Sequence, residues 1–393
     1  MSDSNPKDMK TATALVRAGR EKSITGQFVN PPVVHASTVL FDSVDNMMHR
    51  RERYAYGRRG TPTSDALAGA MNEIEGSAGT VLCPSGLSAV STALLSCLSA
   101  GDHLLMVDCV YGPARNFAKH ILKRLGIETT FFPPDIGADI GSLFTERTRA
   151  VYLEAPGSLT FEMQDVPAIA AAARARGAAT IFDNTWATPV FFKALAAGVD
   201  ITLMAATKYV SGHSDVMLGT VSANEAYWPK LIDTHGTMGL CVGPDDIYLG
   251  LRGLRTMAIR LERQMKSGLT VANWLAARPE VTRVLHPALE SDPGHALWKR
   301  DMSGASGLFG VLFGGWDQKD AALFIDTLKL FGIGASWGGF ESLAILANPG
   351  HTREAVPWTE EGTLVRLHIG LEDPSDLLAD LEAGFAAVTA ARP

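Results

Sequence analysis

The apolar positions of this chain alternate between two spacings. Short continuous apolar runs that end in small or polar residues predict strands at 80–83, 103–107, 128–132, 150–153, 180–182, 201–205 and 220–222. Between them, helical periodicity predicts helices at 64–75, 113–125 and 166–176. In the first of these, Leu67, Met71 and Ile74 mark one face and Gly76 is the stop signal. A further helix begins in the small-residue turn 84–89 and runs through Leu98. Strands alternating with helices in this way predict an α/β fold, a mostly parallel sheet flanked by helices.

Near Leu249 the pattern changes. A long helical stretch over 251–277 is followed by strands at 281–285, 308–313 and 364–369 and helices at 321–330 and 375–388. This mixture predicts a smaller α+β domain. Residues 1–60 carry Pro, Gly and charge with no strong periodicity beyond a short helix near 11–18, and read as an extended arm. An arm of this composition must lie on something, such as a neighbouring subunit. The expected division is an arm over 1–60, a large domain over 61–255 and a C-terminal domain over 256–393.

Composition narrows the class. The chain has 393 residues, 46% hydrophobic and 20% charged, which suits a folded globular protein of more than one domain. The net charge of −7 and the lack of a basic tract argue against nucleic acid or an anionic membrane as partner. The N-terminus, Met1 to Asp8, lacks the apolar core of a signal peptide, and no apolar run approaches the ~20 residues that span a bilayer. Cys83, Cys97, Cys109 and Cys241 form no CxxC pair. The expectation is a cytoplasmic chain with neither a disulfide framework nor a metal site.

Candidate chemistry falls where strands end. Lys208 follows the apolar run 200–206, and a lysine desolvated there is partly neutral and able to attack a carbonyl. A lysine that snorkels at a strand end gives the same pattern. Ser85, Gly86 and Leu87 open a helix after a strand, which suits either a phosphate cradle or an ordinary N-cap. Asp183 ends a strand and could face a protonated ring nitrogen or simply start a turn. Tyr111 could stack on a planar ligand or brace a helix start. Tyr56 and Arg58 in the arm suit phosphate binding or a solvated basic loop. Arg366 interrupts an apolar strand and needs an anion, either a substrate carboxylate or an internal partner. Neighbouring His368 reads as structural. Ser336 and Trp337 open a glycine-rich turn that permits close approach to a ligand.

The order of these stretches is itself informative. Tyr56-Gly57-Arg58, Ser85-Gly86-Leu87-Ser88-Ala89, Tyr111-Gly112, Asp183-Asn184-Thr185, Thr207-Lys208-Tyr209, Gly212-His213-Ser214-Asp215, Arg252-Gly253-Leu254-Arg255-Thr256 and Arg366-Leu367-His368-Ile369-Gly370-Leu371-Glu372 occur in one chain. In this the chain resembles the pyridoxal 5'-phosphate (PLP)-dependent enzymes of cysteine and methionine metabolism, of aspartate-aminotransferase-like fold type I. The match runs from about Asn30 to the C-terminal helix. Three stretches resemble the β-acting bacterial carbon–sulfur lyases in particular: Tyr56-Gly57-Arg58-Arg59-Gly60-Thr61, Glu154-Ala155-Pro156-Gly157-Ser158-Leu159-Thr160-Phe161-Glu162 and Ser336-Trp337-Gly338-Gly339-Phe340-Glu341-Ser342. The γ-acting relatives usually have Asn where this chain has Ser158, and tend to have Leu in place of Trp337. Ala205 departs from the Ser that many relatives carry three residues before the lysine.

The resemblance implies roles residue by residue. Lys208 would anchor the cofactor and act as base, with Tyr111 and Tyr56 as further catalytic residues. Asp183 would face the ring nitrogen and Tyr111 would stack on the ring. Ser85, Gly86, Leu87 and Thr207 would hold the phosphate from one subunit, with Tyr56 and Arg58 reaching in from its neighbour. Arg366, Ser336, Trp337 and Ser158 would bind the substrate. The implied reaction is β-elimination from L-cystathionine to homocysteine, pyruvate and ammonia, in a homo-oligomer expected to be a tetramer built as a dimer of dimers. The siblings it leaves open are a γ-synthase, a γ-lyase or a broad cysteine-S-conjugate β-lyase. A non-catalytic PLP-binding protein is the alternative from another class.

Overall fold

The computed structural model describes residues 9–49, 51–351 and 353–392. The N-terminal stretch read for a signal peptide and Arg50 of the basic run lie outside them. Seven strands form the larger sheet: β1 (Gly79–Cys83), β2 (His103–Val107), β3 (Glu128–Phe132), β4 (Thr148–Glu154), β5 (Ala179–Asp183), β6 (Ile201–Met204) and β7 (Gly219–Ala223). Their order is β1-β7-β6-β5-β4-β2-β3. The run from β3 to β6 is parallel, and β7 is antiparallel to both of its neighbours, β6 and β1. Strands buried on both faces need no polar alternation, which is why the inner strands β2, β4, β5 and β6 read as mainly apolar runs, whereas the edge strand β3 alternates between exposed and more buried positions.

The parallel strands share an end. β1 stops just before Ser85, β2 before Tyr111, β4 at Glu154, β5 at Asp183 and β6 shortly before Lys208. Open α/β sheets bind ligands beyond the carboxyl ends of their strands, and five chemically useful segments converge at that edge here.

A second sheet follows in sequence: β8 (Val281–Leu285), β9 (Leu308–Phe313), β10 (Gly332–Ile333), β11 (Leu343–Ala347) and β12 (Thr363–His368). Its order is β10-β11-β12-β9-β8, antiparallel except for the short β10–β11 pair. A separate apolar core lies under it, in which Phe313 and Trp316 stack at 4.2 Å between ring centroids and Phe324 and Phe385 pack edge to face at 5.0 Å.

The structure adds elements to the sequence expectation and redraws others. The predicted helix over 113–125 begins at Gly112 and widens after Asn116 into a looser turn over Phe117–Leu122. The predicted helical stretch over 251–277 is two helices, Pro244–Leu254 and Met257–Ala276. The break places Arg255 where its guanidinium donates to the carbonyls of Leu15 at 2.9 Å and Ala18 at 2.6 Å, tying the N-terminal segment to the body. Helices at Val44–His49, Trp228–Thr237 and His295–Asp301 and strands β10 and β11 were not expected. Strand β6 ends at Met204, one residue sooner than predicted. Among the described residues, no helix is long and apolar enough to cross a membrane.

Candidate active site

A cleft of about 430 Å³ opens at the carboxyl edge of the larger sheet, and Ser336, Trp337 and Arg366 from the second sheet's side close it. Of the residues singled out from the sequence, Ser85, Gly86, Leu87, Tyr111, Ser158, Asp183, Thr207, Lys208, Ser336, Trp337 and Arg366 all line it. They come from segments spread over nearly three hundred residues of chain, and the fold brings them to one place.

One end of the cleft suits an anion. Helix Gly86–Cys97 starts there, and its first turn presents backbone N–H groups that the helix itself cannot satisfy. The Ser85 hydroxyl caps the turn by accepting from the Ser88 N–H at 3.1 Å. Both readings of this stretch are compatible: Ser85 is an N-cap, and Gly86 and Leu87, in the first helical turn, line the cleft. Gly86 has no alternative, because a Cβ there would sit 2.5 Å from the Ala205 Cβ. The Thr207 hydroxyl donates to the Leu218 carbonyl at 3.1 Å and accepts from the Leu218 N–H at 2.9 Å, which fixes its position on the cleft wall.

A second group lies at the base. Asp183 is buried, and its carboxylate accepts from the Thr185 N–H at 3.0 Å and from the Thr185 hydroxyl, while Tyr152 OH stands 3.5 Å away. Among the described residues no ion pair serves it, and burial pushes its pKa up. A buried carboxyl of this kind calls for a cationic or N–H partner from a ligand. The helix N-terminus at one end and the carboxyl at the other match a phosphate and a basic ring nitrogen, and the cleft is large enough for a planar cofactor between them.

Lys208 supplies the third group. Its Nζ donates to the Ser336 hydroxyl at 2.6 Å and lies 5.3 Å from the Trp337 ring centroid. Burial, helped by the nearby Arg366 charge, pulls its pKa down to about 8. This is a lysine prepared to act as a neutral amine near neutral pH, and it departs from the snorkelling alternative. Two features hold it in place. Buried Arg260 donates to the Tyr209 and Gly253 carbonyls, each at 2.8 Å, bracing the turn that follows the lysine. On the other side Gly338, at φ +85°, packs so closely that a Cβ would lie 2.9 Å from the Lys208 Cβ.

Arg366 sits on β12 and is nearly buried. Its Nη2 donates to the Ser336 carbonyl at 3.1 Å. No carboxylate pairs with it among the described ion pairs, and burial lowers its pKa to about 10. Of the two anions that sequence left open, an internal partner is missing, so a bound carboxylate is the group that would satisfy it. His368, two residues on, is buried and accepts from the Gly338 N–H at 3.0 Å; its pKa falls to about 3 and it stays neutral, as a structural residue should.

Tyr56 and Arg58 stand apart. Tyr56 is half exposed, and Arg58 donates to the Gly236 carbonyl at 2.8 Å beside a separate cavity of about 500 Å³. Neither lines the Lys208 cleft of its own chain. Sequence reasoning missed Glu154 as a site residue. In sequence it only opens the 154–162 stretch, and its position beside Asp183 is a matter of strand register. The loop that follows it, carrying Ser158, holds its shape through the Ser158 N–H, which donates to the Cys109 carbonyl at 2.7 Å.

Comparison with known proteins agrees with this geometry. The model of the family described as "Cys/Met metabolism PLP-dependent enzyme" matches residues 12–386. A protein of Rhizobium johnstonii is 54% identical over 96% of each chain. A cystathionine beta-lyase of Escherichia coli (strain K12) is 46% identical over 97% of this chain and 99% of its own. Among solved structures, a cystathionine gamma synthase of Xanthomonas oryzae pv. oryzae in complex with cystathionine superposes with a TM-score of 0.89 at 32% identity, covering 97% of this chain and 99% of that one. With a family match over nearly its whole length and the cleft that such chemistry needs, this chain belongs to the PLP-dependent enzymes of cysteine and methionine metabolism.

Proposed function

We propose that the protein is a carbon–sulfur β-lyase that cleaves L-cystathionine to homocysteine, pyruvate and ammonia. The observation that carries this reading is the placement of the desolvated Lys208 amine in one cleft with an Arg366 guanidinium that has no carboxylate partner among the described residues and the buried Asp183 carboxyl. The similarity to a beta-lyase of Escherichia coli supports β- over γ-elimination, as do Ser158 and Trp337. In this reading Lys208 would be the attachment point of the cofactor, Asp183 would pair with its ring nitrogen and Tyr111 would pack on its ring. Gly86, Leu87, Ser85 and Thr207 would hold the phosphate. When bound, the cofactor supplies an electron sink for negative charge at the substrate's α-carbon.

The chain's own groups do the rest. Arg366 binds the substrate carboxylate through its planar fork, and the Ser336 carbonyl fixes the fork's direction. That orients the α-carbon toward Lys208. The neutral amine takes the α-proton as general base, and the same ammonium can then protonate the departing sulfur. The Ser336 hydroxyl, which accepts from Nζ, keeps the amine aimed during both transfers. Trp337, packed 5.5 Å from Tyr209 between ring centroids, walls the cleft against water.

Tyr56 and Arg58 have no role within their own chain's cleft, which supports a site completed by a neighbouring subunit in a homo-oligomer, read here as a tetramer of paired dimers. The division into an arm over 1–60, a large domain over 61–255 and a C-terminal domain over 256–393 belongs to the same reading, as does a cytoplasmic location.

The product test is direct. Pure protein incubated with L-cystathionine should release pyruvate and homocysteine in equal amounts. Release of 2-oxobutyrate and cysteine would assign γ-elimination instead. A pH prediction follows from the lysine. The rate at which cofactor-free protein binds PLP covalently should rise about tenfold per pH unit in the acid range and level off near pH 8, where the Lys208 amine becomes neutral. Stopped-flow absorbance reads this rate; a rise that continues up to the ordinary lysine value of 10.5 contradicts the desolvated state of Lys208.

A further inference from the structure

Strands β4 and β5 run in parallel, and their last residues, Glu154 and Asp183, are direct register partners. Both side chains line the cleft. Two carboxyls side by side in a buried place repel each other when both are ionised, so the pair holds one proton more readily than none. The surroundings decide where the proton sits. Asp183 accepts two bonds from Thr185, and these favour its ionised form. The groups that act on or feel Glu154 are Asp183 on β5, Tyr152 on its own strand, and Tyr111 and Cys109 from the segment after β2. None of these is a cation. Burial and the neighbouring Asp183 push the Glu154 pKa well above the ordinary carboxylate range.

Glu154 also makes a mechanical connection. Its Oε2 accepts from the Tyr111 backbone N–H at 2.7 Å. Tyr111 precedes helix Gly112–Asn116 and has no side-chain bond to fix its start, so this contact ties the tyrosine to the sheet. Buried Gln164 fixes Glu154 in turn. Its amide accepts from the Glu154 N–H at 3.3 Å and donates to the Glu154 carbonyl, and the same amide nitrogen reaches Cys109 Sγ at 3.4 Å.

We propose that Glu154 is a positioning residue for the ring end of the cofactor, tethering Tyr111 through its backbone N–H and sharing a single negative charge with Asp183. The inference rests on the functional reading above. With the charge held to one, a ring nitrogen at Asp183 meets one carboxylate, and the Tyr111 ring is held at a fixed place over the cofactor.

The variants separate tether from charge. Glu154→Gln keeps an acceptor of the same reach and the neutral state. Glu154→Leu removes the acceptor and leaves the half-exposed Tyr111 N–H to water, a loss of roughly twofold to tenfold in equilibrium terms, or about 0.5–1.5 kcal/mol. Visible circular dichroism of the holoenzyme, PLP affinity by dialysis, and kcat and KM are measured for both. The expected result is a Glu154→Gln enzyme close to wild type in all three. Glu154→Leu should show an altered visible dichroism band, weaker PLP retention and a fall in kcat with little change in KM. If Glu154→Gln is as impaired as Glu154→Leu, the residue works as an anion and the shared-charge inference is overturned. If Glu154→Leu only lowers the melting temperature, with the dichroism band and PLP affinity unchanged, the role is structural and the tether is overturned. The dichroism and dialysis arms decide the matter even if the wild-type protein forms no pyruvate, which would count against the lyase reading alone.

Discussion

Replacing Lys208 with Ala is expected to abolish β-elimination while the fold survives. The rate should fall by at least about 10³-fold, because one side chain supplies both the covalent attachment and the general base. The protein should lose its absorbance above the protein band and keep its far-ultraviolet dichroism. Stability should not suffer. Lys208 is held at a depressed pKa by burial, its main side-chain bond is to Ser336, and removing a poorly solvated ammonium relieves a cost. Lys208→Arg is the control for charge. It keeps a cation near Ser336 and Trp337 but cannot deprotonate near neutral pH, so it should be as inactive as Ala. An Arg variant that retains even a tenth of the wild-type rate would show that the amine is not the base.

The second large effect is expected at Arg366. A buried guanidinium with no carboxylate of its own is costly to maintain, and a substrate carboxylate is the group that repays it. Arg366→Leu should lower kcat/KM by roughly 10²–10³-fold, consistent with the 3–5 kcal/mol typical of losing one partner of a buried pair. The loss should fall mainly on KM, since the carboxylate is bound before and during the reaction alike. Cofactor absorbance should remain. Arg366→Lys should not rescue activity, because an ammonium cannot reproduce a two-pronged contact. The melting temperature of the Leu variant should not fall, as relief of the desolvated charge offsets the lost bond to the Ser336 carbonyl. Equal KM values for wild type and Leu variant would place the substrate carboxylate elsewhere.

The chain made most of its strands easy to read and left parts of its site hidden, for physical reasons. Strands such as β2 and β4 are buried on both faces, so they appear as bare apolar runs. Helix Trp228–Thr237 escaped notice because it buries only Leu231 and Gly236 and carries Pro, Asp and His on its other faces. Strand β11 is short and lies among glycines, and sequence gives little to distinguish it from a loop. The break at Arg255 is accompanied by a contact with Leu15, more than two hundred residues away, which local spacing does not encode.

The site divides in the same way. Lys208, Asp183 and Arg366 were legible because polar groups at the ends of apolar strands are conspicuous. Their states were not. The absence of an internal partner for Arg366, and the bond from Lys208 to Ser336, arise only when the second sheet closes over the first. Glu154 was hidden for a stronger reason. Its place opposite Asp183 comes from the register of two parallel strands, which sequence spacing does not encode. Ala205 was noted as a departure from many relatives. The structure adds that its methyl packs against Gly86, so the residue at 205 and the start of the phosphate-binding turn are fitted to each other.

The most direct measurement is to locate the cofactor on the chain. Holoenzyme is reduced with borohydride, which fixes PLP to the lysine that carries it, and the digested protein is mapped by mass spectrometry. A single modified peptide with the pyridoxyl group on Lys208 is expected. A label on any other lysine, or none at all, would contradict it.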